Sequence, residues 1–72
     1  MGYVTITNNT LQEIIVNVTT TGEGGNDTFF PLQPATADRW NRSRVQVAFV
    51  KRRDNGKTET HVVEVGQALV IS

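Results

Sequence analysis

The sequence predicts an all-β fold, a small antiparallel β-sandwich or barrel of six to seven short strands. Runs rich in valine, isoleucine and threonine alternate with polar residues, and turn residues interrupt them about every ten positions. No segment longer than a turn has apolar residues at helical spacing. The dipeptide Asn55-Gly56, set between two alternating runs, is typical of a type I′ hairpin, in which both central residues need positive φ. Strands that follow one another without helices also exclude a doubly wound nucleotide-binding fold.

Each predicted strand is an alternating or β-branched run bounded by turn residues. In the second, the alternation places Ile14, Val16 and Val18 on one face and a mostly polar set on the other. Pro31 cannot donate a ladder hydrogen bond, so the third strand should lie at a sheet edge. The apolar C-terminal residues indicate a paired strand rather than a tail. The predicted strands cover residues 3–7, 12–20, 28–32, 37–42, 45–50, 60–65 and 68–71.

The hairpin around Asn55-Gly56 predicts a register and two apolar faces. A two-residue loop makes the facing pairs Arg52 with Glu59, Val50 with His61, and Phe49 with Val62. The first of these should form a cross-strand ion pair. One face carries Val45, Val47, Phe49 and Val62, and the other carries Ala48, Val50, Val63 and Val65. We expect a core made of Val16, Val18, Val47, Phe49 and Val62.

The length of 72 residues predicts one domain, residues 1–72, with a core that supplies only modest stability. Small domains are usually reinforced by disulfides, a metal or self-association. The chain has no cysteine and a single histidine, which excludes disulfides and thiolate metal sites and disfavours a zinc site. A homo-oligomer is therefore expected, with a second copy covering the apolar face that the core leaves open.

The basic residues are confined to one part of a chain whose net charge is zero. No lysine or arginine precedes Arg39, and all seven lie between Arg39 and Lys57. They form either solvated loops and strand faces or a patch for an acidic partner. A single-stranded nucleic acid would suit such a patch with Trp40 nearby, but the pI of about 6.5 disfavours nucleic acid as a partner.

The sequence lacks the residues of the common catalytic arrangements. His61 is the only imidazole, there is no cysteine nucleophile, and neither Ser43 nor Ser72 lies in a nucleophile elbow. The glycine-rich segment 22–27 has neither GxGxxG nor GK[ST]. We therefore expect a protein that is not an enzyme and that uses no metal or cofactor.

The N-terminal residues have no basic region followed by an apolar one, so no signal peptide is predicted. No apolar run reaches membrane-spanning length, although a membrane surface remains open as a partner. A cytoplasmic location, or export without a signal peptide, is the expectation.

The candidate ligand site is the segment Asp38-Arg39-Trp40-Asn41-Arg42, which holds the only tryptophan. On a strand, Trp40 shares one face with Asp38 and Arg42, while Arg39 and Asn41 share the other. An indole can stack on a sugar ring while the carboxylate and guanidinium bind its hydroxyls. The alternative is that Trp40 belongs to the core. Arg39, Asn41 and the loop 22–27 would lie at the edge of this site.

The order of several motifs resembles a group of small, cysteine-free fungal β-sandwich proteins. These have an opening strand with an Asn-rich turn, a P-x-x-P segment and a D-x-W-x-R motif, here Asp38-Arg39-Trp40-Asn41-Arg42. More distantly the chain is similar to fungal lectins of the actinoporin-like and aegerolysin kind, and this resemblance implies binding to sugars or lipids. We therefore expect a small oligomeric carbohydrate-binding protein. The alternative is a structural or membrane-active self-assembling β-protein without a small ligand.

Overall fold

A computed structural model describes residues 2–72 and shows an all-β protein, as the sequence predicts. The described residues include no helix long and apolar enough to cross a membrane. The strands are β1 (Gly2–Asn8), β2 (Ile14–Val18), β3 (Phe30–Leu32), β4 (Thr36–Arg42), β5 (Gln46–Arg52), β6 (Thr58–Val63) and β7 (Ala68–Ile71).

The strands form two sheets with the topology of a small sandwich. One sheet has the order β4-β1-β7 and the other the order β3-β2-β5-β6. Neighbouring strands are antiparallel except β1 and β7, which are parallel. β3, which contains Pro31, lies at a sheet edge as predicted, and the C-terminal segment is a paired strand as predicted.

The core lies between the two sheets and consists mainly of branched aliphatic residues. Each fully buried valine, leucine or isoleucine side chain contributes roughly 1.5–3 kcal/mol. One tryptophan joins them, so the aromatic content of the core is low. The buried apolar residues are Val4, Ile6, Ile14, Val16, Val18, Leu32, Trp40, Ala48, Val50, Val63 and Ile71.

The core face predicted for the β5–β6 hairpin is wrong, although Val16 and Val18 are buried as expected. Val62 is 67% exposed, and Val47 and Phe49 are only half-buried. The reason lies in β2, whose inward residues Val16 and Val18 face Val50 and Ala48 across the ladder, so that these, with Val63, form the core. The face with Phe49 is turned outward.

The predicted hairpin register is also wrong, by two residues. Val50 faces Glu59, Phe49 faces Thr60 and Val47 faces Val62. The N–H of Arg52 donates to the carbonyl of Lys57 at 2.8 Å, which makes 53–56 a four-residue loop.

The type I′ turn predicted at Asn55-Gly56 is wrong as well. Gly56 has φ +71°, but Asn55 does not have positive φ. Asn55 instead accepts a hydrogen bond from the N–H of Lys57 at 2.9 Å, so this loop needs a left-handed residue only at its last position. The predicted Arg52–Glu59 ion pair does form, at 2.7 Å, but between diagonal rather than facing positions.

Candidate functional site

One concavity is a groove of about 220 Å³ where the free edges of β3 and β4 approach each other. The five residues predicted as the site all line it, and the loop 22–27 contributes to its rim as expected. Its lining consists of Gly25, Asn26, Phe30, Asp38, Arg39, Trp40, Asn41 and Arg42. A second, larger concavity of about 330 Å³ shares Gly25, Asn41 and Arg42 with the groove and is also lined by Glu23, Gly24 and Ser43.

Trp40 is a core residue that reaches the groove only with a small part of its surface. It is 6% exposed and packs in the cluster of buried aliphatic side chains. An open stacking platform, one of the two predicted roles, requires an exposed ring face, and Trp40 does not offer one.

The exposed part of Trp40 includes its indole nitrogen. None of residues 2–72 accepts a hydrogen bond from this N–H. Because every fully buried side-chain nitrogen and oxygen among these residues has a partner, the indole nitrogen is not fully buried. The N–H therefore reaches solvent. A tryptophan N–H is a donor only, so it can bind an acceptor oxygen of a ligand.

Arg42 supports the groove from below and offers little of its own surface. It is 2% exposed, and its guanidinium donates to the carbonyl oxygens of Val18 at 2.8 Å, Thr19 at 2.9 Å, Asn41 at 2.7 Å, and also of Asn26. Because these acceptors lie on β2, β4 and the loop between β2 and β3, Arg42 joins three parts of the chain. Its predicted role as a direct ligand group does not fit this burial.

The loop between β2 and β3 is held by a second polar residue, Glu23. Its carboxylate accepts hydrogen bonds from the Gln46 amide at 2.7 Å, the N–H and hydroxyl of Ser43 at 2.7 and 3.0 Å, and the N–H of Arg44 at 3.1 Å. The Gln46 bond, with those from Ser43 and Arg44, lowers the pKa of Glu23, although desolvation opposes the shift. The loop that forms the groove rim is therefore fixed to β5 and the preceding turn.

Phe30 is the exposed aromatic of the groove, and the sequence analysis missed it. It is 43% exposed at the edge strand β3. Its signal was available, because an aromatic beside Pro31 on an edge strand has few neighbours to cover it. The exposed Asp38 carboxylate lies on the opposite wall, where one oxygen accepts from the N–H of Arg39 at 2.8 Å.

Arg39 and Asn41 belong to the outer face of β4, as the alternation predicted, and both are exposed. The Arg39 guanidinium lies 4.5 Å from the centre of the Tyr3 ring on β1, a cation–π contact. These two residues also contribute to the lining of the groove.

Several basic side chains are engaged within the chain rather than forming a free cationic patch. Arg52 binds Asp54 and Glu59, both at 2.7 Å, and Arg53 binds Glu13 at 2.9 Å. Because Arg52 and Arg53 are paired in this way and Arg42 is buried, these three arginines do not contribute to a single free cationic surface.

Residues 2–72 contain no group of three histidine, cysteine, aspartate or glutamate side chains that could hold a metal ion. His61 lies on β6, where its Nε2 is 2.9 Å from the carboxylate of Glu59. The structure therefore places the single imidazole on a strand remote from the groove lining.

Comparison of the chain with protein-family models, with characterised proteins and with solved structures finds no significant match. The resemblance of its motifs to small fungal β-sandwich proteins and lectins therefore stays a prediction.

Proposed function

We propose that this chain is a non-catalytic binding domain whose β3–β4 groove takes one sugar ring. The observation that carries the proposal is the composition of the groove: one small concavity is lined by Phe30, which is 43% exposed, by the exposed residue Asp38 and by Trp40. Ligand sites combine apolar surface with a few convergent polar groups in this way.

In this proposal Asp38 keeps the role expected from the sequence, whereas Trp40 and Arg42 take different roles and Phe30 is added. Phe30 supplies the apolar face against which the C–H groups of a pyranose can pack, and Asp38 accepts hydrogen bonds from sugar hydroxyls. Trp40 donates its N–H from the groove floor, and Arg42 keeps that floor and the loop in place. A volume of about 220 Å³ is small for a drug-sized ligand, and it favours a single terminal sugar over a long oligosaccharide.

A glycan array followed by titration with the selected methyl glycoside tests the proposal. Trp40 is the only tryptophan, so its fluorescence reports on the groove directly. We expect saturable binding with a fluorescence change, and recovery of the glycoside unaltered. An array without any bound glycan, or conversion of the glycoside, contradicts the proposal.

Two neighbouring phenylalanines provide a matched pair of variants. Phe30 lines the groove at 43% exposure, whereas Phe29 is 46% exposed and packs under the ammonium of Lys51 at 4.2 Å, outside the groove. Phe30→Ala should weaken glycoside binding by at least tenfold, and Phe29→Ala should leave it unchanged. Equal effects of the two changes would show that the sugar binds elsewhere.

A self-assembling protein is the second candidate, and the outer face of the β3-β2-β5-β6 sheet favours it. Exposed large apolar side chains that a monomer leaves uncovered typically mark an interaction surface. On this face Val62 is 67% exposed, and Val47 opposite it and Phe49 nearby are half-buried.

A further inference from the structure

The free edge of β6 presents unpaired backbone groups. β6 is the last strand of its sheet and pairs only with β5. Because Arg52 and Lys57 form a hydrogen-bonded pair, and such pairs alternate along an antiparallel ladder, Glu59, His61 and Val63 point their backbone groups toward β5. The N–H and C=O groups of Thr58, Thr60 and Val62 therefore face away from the sheet.

β6 is the least protected edge among the described strands. β3 has three residues and contains Pro31, β7 has four residues, and β4 carries the charges of Asp38 and Arg39. β6 has six residues, without proline or lysine. Proteins usually protect a free edge of this length by those means, so its exposure indicates a strand partner.

One charge on β6 faces inward, and such a charge ordinarily discourages pairing. Glu59, however, is already neutralised: its carboxylate binds Arg52 of β5 at 2.7 Å and His61 at 2.9 Å. A strand added beside β6 would therefore not leave an unpaired buried charge.

We propose that the partner is a second copy of this chain, joined by antiparallel pairing of the two β6 strands. A two-fold axis perpendicular to the sheet keeps the outer faces on one side, and centring it on Thr60 uses all three free positions. Thr60 then faces Thr60 of the second copy and Thr58 faces Val62, which gives roughly six backbone hydrogen bonds between the subunits.

The facing side chains are compatible with this register. With the axis at Thr60, Glu59 lies directly opposite His61 of the second copy, at a position where facing side chains approach most closely. The carboxylate of each subunit thus gains a second imidazole neighbour, and no like charges face each other.

The dimer leaves both β3–β4 grooves open, because β3 is at the opposite edge of the sheet from β6. A bivalent binding protein results, which raises the avidity for a surface carrying many copies of a ligand. The inference rests on the free edge of β6 rather than on the outer face of the sheet, and it does not depend on the ligand of the groove.

Single cysteine variants test the register, since the chain has no cysteine of its own. The Cα atoms of facing residues in an antiparallel hydrogen-bonded pair are about 5.5 Å apart, so Thr60→Cys should give a covalent dimer with a bifunctional thiol reagent that spans about 5 Å. Thr58→Cys is the matched control: its two copies would be roughly 13 Å apart and should stay unlinked. Equal cross-linking of the two variants would overturn the register.

Sedimentation of the unmodified chain and of Thr60→Lys tests the interface itself. The unmodified chain should be dimeric at micromolar concentration, and Thr60→Lys should be monomeric because two ammonium groups would meet at the axis. Thr36→Lys, on the other sheet, should stay dimeric. A dimer that survives Thr60→Lys would place the interface elsewhere. An unmodified chain that is monomeric would overturn self-association altogether. A monomer that instead adds a foreign peptide strand to β6 would overturn it as well.

Discussion

Gly25 lies directly against Arg42: a Cβ atom at position 25 would be 2.6 Å from Nη1 of the guanidinium. Gly25 also has φ +127°, a backbone conformation that residues with a side chain rarely adopt. Gly25 on the groove rim therefore packs so closely on the buried Arg42 that a side chain at position 25 has no room.

Replacing Gly25 should accordingly destabilise the fold through both effects. Gly25→Ala displaces a guanidinium that serves four carbonyl groups and strains the backbone, and we expect a loss of roughly 1–3 kcal/mol in the free energy of unfolding. Gly24→Ala is the matched control, because nothing lies within 4 Å of its added Cβ. Urea denaturation of the two variants measures the difference, and equal midpoints would contradict the packing of Gly25 on Arg42.

The orientation of β5 is tested by two valines on opposite faces of the hairpin. Val50 is fully buried and Val62 is 67% exposed. Val50→Ala should cost about 2–3 kcal/mol through lost burial and the cavity left behind, whereas Val62→Ala should stay within about 0.5 kcal/mol in a monomeric reference such as Thr60→Lys. The reverse order in thermal melts would restore the core face that the sequence predicted.

The same hairpin shows what could be predicted from the sequence and what could not. Both of its faces are apolar, so alternation alone does not decide which of them is inside. Phe49 drew the prediction to the wrong face because a bulky aromatic is usually buried. The deciding fact is the pairing of β5 with β2, a contact between distant parts of the chain that turns Gln46 inward.

Gln46 is the polar residue that this orientation of β5 buries, and hydrogen bonds compensate for its burial. Its side chain is satisfied by Thr19 at 2.7 Å, Thr21 at 2.9 and 3.0 Å, and Glu23 at 2.7 Å. No local pattern signals such partners. By contrast, the strand count, the edge position of Pro31 and the clustering of residues 38–42 followed from local chemistry and are all found in the structure.

The loop 53–56 offers a test of turn type. Gly56 alone has positive φ there, so Gly56→Ala should lower stability by about 1 kcal/mol. Asn55→Ala should remove only the hydrogen bond to the Lys57 N–H, with a loss of roughly 0.5–1 kcal/mol and no backbone strain. A φ above zero at Asn55, measured from NMR couplings, would instead support the two-residue type I′ turn.

Acid should weaken the attachment of the groove loop through Glu23. The pKa of Glu23 is lowered from its ordinary 4.5, chiefly by the Gln46 hydrogen bond, so the folded state holds its proton less tightly than the unfolded chain does. The resulting stabilisation is complete above about pH 4.5 and is lost as the pH falls through the lowered pKa.

Glu23→Gln should therefore depend less on pH than the unmodified chain over this range. Unfolding curves recorded between about pH 7 and pH 3 measure the difference in slope. Asp54 and Glu59 also have lowered pKa values, owing first to Arg52, and remain in both proteins, so only the difference belongs to Glu23. Glu64→Gln is a charge-matched control, and the same slope in both variants would contradict the assignment.

Trp40 separates the stability of the fold from binding in the groove. Since it is 6% exposed within the core, Trp40→Ala should cost roughly 3–5 kcal/mol, enough to unfold most of so small a domain. Tyr3→Ala, which removes a ring that is 47% exposed, should change the melting curve far less. An unchanged melting curve for Trp40→Ala would show that the indole lies on the surface after all.

Trp40→Phe keeps most of the buried volume and should cost less than about 1.5 kcal/mol, but it removes the indole N–H that reaches solvent. Its sugar affinity, measured by calorimetry on the folded variant, should fall if that N–H donates to the ligand, and an unchanged affinity would assign Trp40 to the core alone.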